Sequence, residues 1–586
     1  MNMTGKKILP AYPVGENDFT DAEKAAQRKN ADCLNKEIKN AILDGNNYLK
    51  VPCGVYRFNN SAVEKPLTID RADGLTIDFS ESMIYSEDAN AEAILLRNCK
   101  NVAIKNFMAD YDPLPYIQGT IREIDSVSKT VTVEFDDGYT QPDDDWEKNA
   151  GGVMKFIYFS PDGKKMISSA EKYYTYYTTL AVQNGERSLV KIGERVYKIR
   201  LSRDYIFSPN TPVTVGCRVA IPWRRARTVF LFGCENVTVE SAQIYAAPGY
   251  CLNEVYGNGG NVYRKISILR RPGTGRLIST NADCFHSSCM QRGPVVENCS
   301  FSYSSDDFIN IRGYFNVVTE TGKDYLEIAA PSPYGDYGDN RTFRIGDRLE
   351  FFKFTDTEFI NIAELKVKSV QDITKEKGNP QLGDISKKMN ESTGAKIRSG
   401  LQIKILKVTF CGDISPIEQY AMCYSPNLCG GGAVIRGNDF SDGYARGMII
   451  RCRGAKIFSN KITDVAQSAI VLYGSAEELE PFVPDNCTVE KNTIDNANIQ
   501  GSFGICNSAI TISAKQFVSD DLSYHGDNVN VRENHISNSG DYSIAVNMYN
   551  NAVITDNIIS NGQCRSNKDD DILIINSVAD VRDNGG

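Results

Sequence analysis

The sequence is poor in histidine and tryptophan. Among 586 residues there are three histidines, His286, His525 and His535, and two tryptophans. Three histidines are too few to favour a histidine-based catalytic triad or a metal site with several histidine ligands. Acid–base chemistry must therefore depend mainly on carboxylates. The sixteen cysteines include no Cys-x-x-Cys pair and no Cys/His cluster at zinc spacing, so we expect no structural metal and no cofactor.

Long apolar runs and an excess of basic charge are also missing. No run of about 18 uncharged apolar residues occurs, so no membrane span is expected. The net charge is −9 and the isoelectric point is near 5.3, which argues against a nucleic-acid partner. Residues Met1 to Pro13 lack the apolar core of a signal peptide. We still expect a secreted, periplasmic or cell-surface protein whose leader has been removed, because the fold argued below is mostly used outside the cytoplasm.

What the sequence does contain is a repeat. An alternating apolar run followed by Asn-x-(Ile/Phe)-x-(Asp/Asn) recurs in the C-terminal third, with its asparagines at Asn438, Asn460, Asn492, Asn534 and Asn557. Asn438 and Asn460 are 22 residues apart, and Asn534 and Asn557 are 23. Period-2 alternation with such a repeat predicts an all-β chain, a right-handed parallel β-helix in which stacked coils share one core. The asparagine fits a turn residue that tolerates the left-handed region, and a ladder of asparagines would add hydrogen bonds between coils.

Two further patterns fit this architecture. Cysteines recur before or at the start of short strand-like runs, at Cys99, Cys234, Cys299 and Cys487, which is typical of buried structural cysteines. Residues Asp21 to Leu43 read as an amphipathic helix with Thr20 as its N-cap, and this helix would cover the exposed end of the solenoid.

Two stretches lack the repeat and read as hairpins, so each predicts an antiparallel β-barrel-like insert. The predicted order is a cap helix and first coils in 1–115, an insert in 116–222, central coils with the active site in 223–313, a second insert in 314–428 and the C-terminal coils in 429–586. Within the second insert, the polar stretch from Gly378 to Lys396 reads as a mobile loop.

The candidate site lies between Ser279 and Phe315. Aligning NADCFHSS with SSDDFINI places Asp283 one coil, 23 residues, from Asp306, with Asp307 beside it. Three carboxylates within roughly 5–10 Å cannot all ionise comfortably, so at least one pKa should rise. Glycoside hydrolysis needs such a division between an acid and the carboxylates that activate water. Adjacent aspartates alone are also common in turns and calcium sites, and the third aspartate one coil away favours catalysis.

Polar residues surround the three aspartates. Strand alternation predicts that Phe308, Asn310 and Arg312 share the outer face, and that His286, aligned with Ile309, is a hydrogen-bonded core residue. Further candidates for substrate binding are Asn281, Arg276 and Glu254. Arg276 belongs to a basic stretch, and Glu254 lies about one coil before the site.

The NAD and DDxIN motifs, at Asn281 to Asp283 and Asp306 to Asn310, resemble glycoside hydrolase family 110, exo-acting α-1,3-galactosidases with a parallel β-helix and inserted β-barrels. The resemblance implies that Asp306 is the general acid and that Asp283 and Asp307 hold and deprotonate water. It implies a terminal α-1,3-galactoside as substrate, on blood-group-B-like or linear glycans. Arg312 stands where the family leads us to expect histidine, which leaves the acceptor sugar open.

Other carbohydrate functions stay open at this point. The aspartates also resemble those of family 28 polygalacturonases, but the Gly-His-Gly and Arg-x-Lys motifs of that family are missing downstream. A polysaccharide lyase, with the aspartates binding Ca²⁺, and a non-catalytic glycan-binding solenoid are the alternatives. The expected partner is a carbohydrate, and the chain could form a homo-oligomer.

Overall fold

The structure is a computed structural model. It describes residues 19–59, 66–142, 153–167, 178–179, 189–201, 205–209, 211–223, 225–332, 343–354, 359–398, 400–481, 484–499, 508–514, 526–562 and 571–585. Parallel strands dominate, and the chain is a parallel β-helix as the repeat predicts.

The first element is the predicted cap helix. Helix α1 spans Asp21–Leu43, and Thr20 forms a capping box with Glu23, which satisfies two backbone N–H groups that a helix start leaves unpaired. Leu34 and Ile38 are buried in the main core. Of the helices in the described ranges, none is long and apolar enough to cross a membrane.

Strands of the solenoid precede, separate and follow the two inserts. The first coils contain β1 (Tyr48–Lys50), β2 (Val55–Phe58), β3 (Leu67–Asp70), β4 (Thr76–Ser86), β5 (Ile94–Arg97) and β6 (Ala103–Tyr111). The first insert contains β7 (Tyr116–Asp125), β8 (Thr130–Phe135), β9 (Val153–Met154), β10 (Ile157–Phe159), β11 (Thr178–Thr179), β12 (Leu189–Lys191), β13 (Val196–Arg200) and β14 (Arg218–Pro222).

The central coils carry the candidate site. They contain β15 (Val229–Phe232), β16 (Thr238–Ile244), β17 (Leu252–Val255), β18 (Val262–Ile268), β19 (Phe285–Ser288), β20 (Val295–Glu297), β21 (Ser300–Ser302) and β22 (Ile309–Arg312). The second insert contains β23 (Asn316–Thr321), β24 (Leu326–Pro331), β25 (Arg348–Phe354), β26 (Phe359–Asp372), helix α2 (Leu382–Thr393), β27 (Ile403–Cys411) and β28 (Met422–Tyr424).

The C-terminal coils complete the solenoid. They contain β29 (Val434–Arg436), β30 (Asp439–Gly443), β31 (Met448–Ile450), β32 (Lys456–Phe458), β33 (Lys461–Val465), β34 (Ile470–Tyr473), β35 (Cys487–Glu490), β36 (Thr493–Ala497), β37 (Ser508–Ser513), β38 (Gly526–Arg532), β39 (His535–Ser537), β40 (Tyr542–Asn547), β41 (Tyr549–Thr555), β42 (Ile558–Ser560), β43 (Ile572–Ile575) and β44 (Ala579–Arg582).

Two long sheets form the walls of the solenoid. One has 19 strands, and the other has 11 in the order β3-β5-β15-β17-β19-β22-β31-β34-β37-β40-β43. Strand β22 pairs in parallel with β31, across the second insert. The 11-stranded sheet thus continues over the inserted residues, and it carries the strands of the candidate site.

The two inserts are antiparallel but differ in closure. The second forms a closed barrel in the order β23-β24-β27-β26-β25-β28. The first forms a six-stranded sheet in the order β10-β14-β7-β8-β13-β12, with β9 and β11 as a separate pair.

The stretch predicted to be a mobile loop contains a helix instead. Helix α2 buries Leu382, Ile385 and Met389, which follow the three-to-four-residue spacing of one helix face. Gly394 ends it in the left-handed conformation, with φ 73°. The polar composition and the flanking glycine and proline concealed this short amphipathic pattern.

The predicted asparagine ladder is present and longer than expected. Side-chain N–H groups donate to the next asparagine's side-chain oxygen at 2.8–2.9 Å along Asn438, Asn460, Asn492, Asn534, Asn557 and Asn584. The left-handed residue is the one before each ladder asparagine, with φ of 54–64°. Asparagine is therefore selected here for its side-chain bonds rather than for the turn conformation. The four cysteines predicted to be structural are all buried.

Candidate active site

Three positions in register on successive coils form the centre of the site. Phe285 pairs with Ile309, and Ile309 pairs with Met448. Counting back two residues from each places Asp283, Asp307 and Arg446 in one column. The coil offset at the site is therefore 24 residues, not the predicted 23, and Asp283 is the partner of Asp307 rather than of Asp306.

The three aspartates form one compact cluster. One carboxylate oxygen from each of Asp283, Asp306 and Asp307 lies within 4.8 Å of the other two. Their residues are 3%, 2% and 1% exposed, respectively. The predicted convergence of three carboxylates is thus present, in a place that is almost closed to solvent.

Asp307 has the strongest cationic contact. The Nε of Arg446 donates to Asp307 Oδ1 at 2.8 Å, and a terminal nitrogen of Arg446 donates to Oδ2 at 3.1 Å. Burial nonetheless raises the pKa of Asp307 to about 7; Arg446 lowers it, while the charges of Asp306 and Asp283 raise it further. The expectation that crowding raises one carboxyl pKa is met at this residue.

Asp306 meets a cation that comes from the first insert. The Nζ of Lys155 lies 3.7 Å from Asp306 Oδ2 and donates to the carbonyl oxygen of Ser305. The same Nζ stands 4.7 Å from the centre of the Tyr444 ring. Lys155 is 7% exposed, so its ammonium group is buried between the insert and the solenoid.

Asp283 is held by His286. The distance between His286 Nδ1 and Asp283 Oδ2 is 2.6 Å. The Nε of Arg312 donates to His286 Nε2 at 3.2 Å. Because arginine can only donate, Nε2 must accept, which leaves the ring proton on Nδ1. A neutral His286 therefore donates to Asp283, and its ring stacks on Tyr250 at 4.1 Å between centroids.

Behind His286, an ionic network extends along the outer face of the sheet. Arg312 and Arg451 both pair with Glu480, and Arg451 also donates to Asn310 at 2.9 Å. Burial alone would raise the pKa of Glu480, but the two arginines lower it to about 2. The predicted polar residues Asn310 and Arg312 do lie on the outer face, and they fix the side chains that support Asp283.

Two predicted binding residues face the interior instead. Phe308 lies in the core and stacks on Phe440 at 5.4 Å. Glu254 is fully buried, and its carboxylate accepts hydrogen bonds from Asn261, Tyr263 and Ser287. The predictions that Phe308 and Glu254 contact substrate are wrong, because both side chains point into the solenoid.

The face predicted for His286 is also wrong. The strand register pairs His286 with Asn310, not with the inward-facing Ile309. A shift of one residue exchanges the two faces of a strand, so the 23-residue alignment placed His286 inside. Phe308 lies just before strand β22, so the alternation that places Asn310 and Arg312 outside does not extend to it.

Asn281 and Arg276 have mainly structural contacts. Asn281 donates to the carbonyl oxygens of Pro115 at 2.6 Å and Trp223 at 2.9 Å, which stand at the two ends of the first insert. Arg276 forms a buried pair with both oxygens of Asp110. Asn281 therefore ties the insert to the coil of Asp283, while Arg276 is engaged by Asp110.

The cluster is a poor cation site despite its three carboxylates. Calcium takes six to eight oxygen ligands, and the two cations Lys155 and Arg446 already contact Asp306 and Asp307. A further divalent cation here would be repelled by these groups. The geometry suits proton transfer better than metal binding.

Lys155 and Arg446 contact the aspartates and were not among the residues predicted from the sequence. Arg446 lies 139 residues from Asp307, and only removal of the second insert from the count aligns the two. Lys155 lies outside the repeat altogether, so no periodic signal could have identified it.

A parallel β-helix with clustered carboxylates on adjacent coils is the class of molecule that this fold and site define. Among curated proteins, the chain is similar to alpha-1,3-galactosidase B of Parabacteroides distasonis, with 24% identity over 53% of this chain and 52% of that protein. It is also similar to alpha-1,3-galactosidase A of Bacteroides fragilis, with 21% identity over 70% of this chain and 61% of that protein. These matches confirm the resemblance to α-1,3-galactosidases that the aspartate motifs predict.

The chain spans about half to three-fifths of the length of these two curated relatives. Among solved structures it is similar to an exopolygalacturonase from Thermotoga maritima, with a TM-score of 0.39, 12% identity, and coverage of 90% of this chain and 83% of that one. No protein-family model matches the chain.

Proposed function

We propose that the protein is an exo-acting, inverting glycoside hydrolase that releases terminal α-1,3-linked galactose. The observation that carries the hydrolase part of this proposal is the cluster of Asp283, Asp306 and Asp307, whose oxygens approach within 4.8 Å; inversion is what the resemblance to family 110 implies. The curated relatives named alpha-1,3-galactosidase support the choice of sugar and linkage. A location outside the cytoplasm is part of the same proposal.

In the proposed reaction, Asp283 and Asp307 hold the attacking water. A water that donates hydrogen bonds of about 2.8 Å to two carboxylates spans about 4.6 Å between their oxygens, which falls within the 4.8 Å limit of the cluster. Their equivalent positions on adjacent coils suit a shared water. One of the two takes its proton as it attacks the anomeric carbon.

Asp306 then protonates the departing glycosidic oxygen. Lys155, 3.7 Å away, stabilises the carboxylate that remains after the proton has left. In the free protein burial favours a proton on Asp307. Three interacting carboxyls titrate as a unit, so substrate binding against Asp306 can draw the shared proton there.

The small exposure of the cluster supports cleavage at a chain end. Residues that are 1–3% exposed do not line an open groove. An enzyme that cuts within a polymer needs an open groove that exposes its acids.

Turnover of nitrophenyl α-galactoside and of α-1,3-galactobiose tests the proposal. Released galactose supports it, and proton NMR should show the β-anomer first. In a parallel assay on a uronate-containing polysaccharide, unsaturated products that absorb in the ultraviolet and that vanish with a chelator would show a lyase instead. Binding of galactosides without turnover would show a glycan-binding solenoid, and either result would overturn the proposal.

Neutral substitutions within the cluster provide the second test. Asp283→Asn, Asp306→Asn and Asp307→Asn should each lower turnover at least about 10²-fold, because each removes a proton donor or acceptor from the reaction. Asp439→Asn, an exposed aspartate on a neighbouring coil, is the matched control and should keep turnover. Near-native rates in two of the three cluster variants would contradict the assignment.

A further inference from the structure

The three aspartates carry more negative charge than a buried site can hold unaided. Three ionised carboxylates bring three negative charges, and two cations, Lys155 and Arg446, contact Asp306 and Asp307. His286 is neutral, as its bonds to Asp283 and Arg312 require. Among these described groups, two cations balance two carboxylates, so the five groups together are neutral when the aspartates hold one proton.

That proton count depends on a residue from outside the solenoid. Arg446 belongs to the coil next to Asp307, but Lys155 belongs to the first insert, directly after β9 in the chain. Its Nζ reaches Asp306 past the Ser305 carbonyl, which it also contacts. The ring of Tyr444 lies on its other side at 4.7 Å, and a cation–π contact adds to the stability of a buried ammonium group.

We propose that Lys155 is a positioning residue by which the first insert fixes the proton count of the aspartate cluster. The inference rests on the proposed hydrolase function, and it gives the insert a role in the chemistry. With Lys155 in place, the cluster holds one proton and two carboxylates, which is the division that one acid and a water-activating pair require. Without it, a second proton binds and the water loses its base.

The charged and titratable groups around Asp306 set the direction of the effect. Lys155 faces it from the insert, Asp283 from the preceding coil, and Asp307 from its own coil, with Arg446 and His286 in contact with those aspartates. Removing the lysine charge leaves like charges around Asp306. Its carboxyl then binds a proton at higher pH than in the native protein.

The test compares Lys155→Met with Lys155→Arg and with Lys191→Met, an exposed lysine of the same insert, as control. In Lys155→Met the acidic limb of the kcat/KM profile should move up by about one pH unit or more. The loss of activity should then be larger at pH 6 than at pH 8. Lys155→Arg should restore much of the native pH profile, and the control Lys191→Met should have the same profile as the native protein. A uniform loss at all pH values would show a merely structural lysine and overturn the proposal.

A second measurement works without turnover. Without the Lys155 charge an ionised Asp306 becomes more costly to bury, and a protonated one does not. The melting temperature of Lys155→Met should therefore fall further below native at pH 8 than at pH 5. If the native protein shows no hydrolysis but this pH dependence is present, the hydrolase function fails while the role of Lys155 stands. The opposite result would reject only the role of Lys155. In that case the native protein hydrolyses its substrate, but Lys155→Met leaves the acidic limb of the kcat/KM profile in place and lowers the melting temperature equally at pH 5 and pH 8.

Discussion

At the level of single side chains, Asp307 combines a proposed catalytic role with an unfavourable charge. Burial and the neighbouring aspartates raise its pKa from 3.8 to about 7, against the opposing effect of Arg446. At pH values between these two pKa values, Asp307 has lost its proton in the unfolded chain but retains it in the folded protein. Stability therefore falls as pH rises through this window, and above about pH 7 the loss is complete.

Asp307→Asn should remove this penalty. We expect its melting temperature to approach the native value at pH 4 and to exceed it by a few °C at pH 7.5, even though turnover is lost. Thermal unfolding at four or five pH values, with Asp439→Asn as control, measures the difference. A melting difference that does not change with pH would show that Asp307 ionises normally in the folded protein.

The aspartates were predictable from sequence, and several of their neighbours were not. Asp283, Asp306 and Asp307 recur at nearly one coil length, so the repeat brings them together. The face of His286 depends on a register that differs by one residue from the best sequence match, and the face of Phe308 depends on where strand β22 begins. Nothing local distinguishes offsets of 23 and 24 residues, because both keep aspartate near aspartate.

At the level of elements, the asparagine ladder stabilises the C-terminal coils. Asn492 is 1% exposed and donates to Asn534 and to the Ile457 carbonyl, while its oxygen accepts from Asn460. Asn492→Ala leaves several buried polar groups without partners, and each costs about 1–3 kcal/mol. We expect its melting temperature to fall by several °C.

Asn550→Ala tests whether this effect belongs to the ladder. Asn550 lies in the same region of the solenoid but is exposed, so its loss should change the melting temperature little. Both variants should keep native turnover per folded molecule, since neither residue is near the aspartates in the fold. Equal melting temperatures for the two variants would mean that the ladder adds nothing to stability.

Sequence patterns predict elements well where the signal is local. Helix α1 has the predicted bounds and the predicted cap, because a capping residue and an amphipathic face lie within one continuous segment. Helix α2 was missed because its apolar face has only three well-spaced residues in a polar stretch. A short helix of this kind depends on the main core into which its apolar face packs, and that packing is a long-range property.

At the level of the whole molecule, the solenoid follows from its repeat and the inserts do not. The repeat fixes how each coil stacks on the next, so fold class can be read from spacing alone. Closure of the second insert depends on pairing between strands far apart in sequence, as between β23 and β28. The same limit concealed Lys155, whose place in the site depends on how the first insert docks on the coils.

The hydrogen bonds of Asn281 allow the docking of the first insert to be tested. It donates to Pro115 and Trp223, one residue before β7 and one after β14, and it lies two residues from Asp283. If Asn281 acts by holding the insert, Asn281→Ala should displace Lys155 and reproduce the pH-dependent loss of Lys155→Met, roughly tenfold or more at pH 6.

The double variant separates this role from direct contact with the sugar. When two substitutions break one linked interaction, their effects do not add, so Asn281→Ala in the Lys155→Met background should cost little more. Losses in kcat/KM that multiply would show that Asn281 acts independently, as a substrate ligand would. Asn46→Ala, an exposed turn residue remote from the insert in sequence, controls for loss of an asparagine as such. A less-than-multiplicative loss would show that the insert and the coil of Asp283 form one catalytic unit.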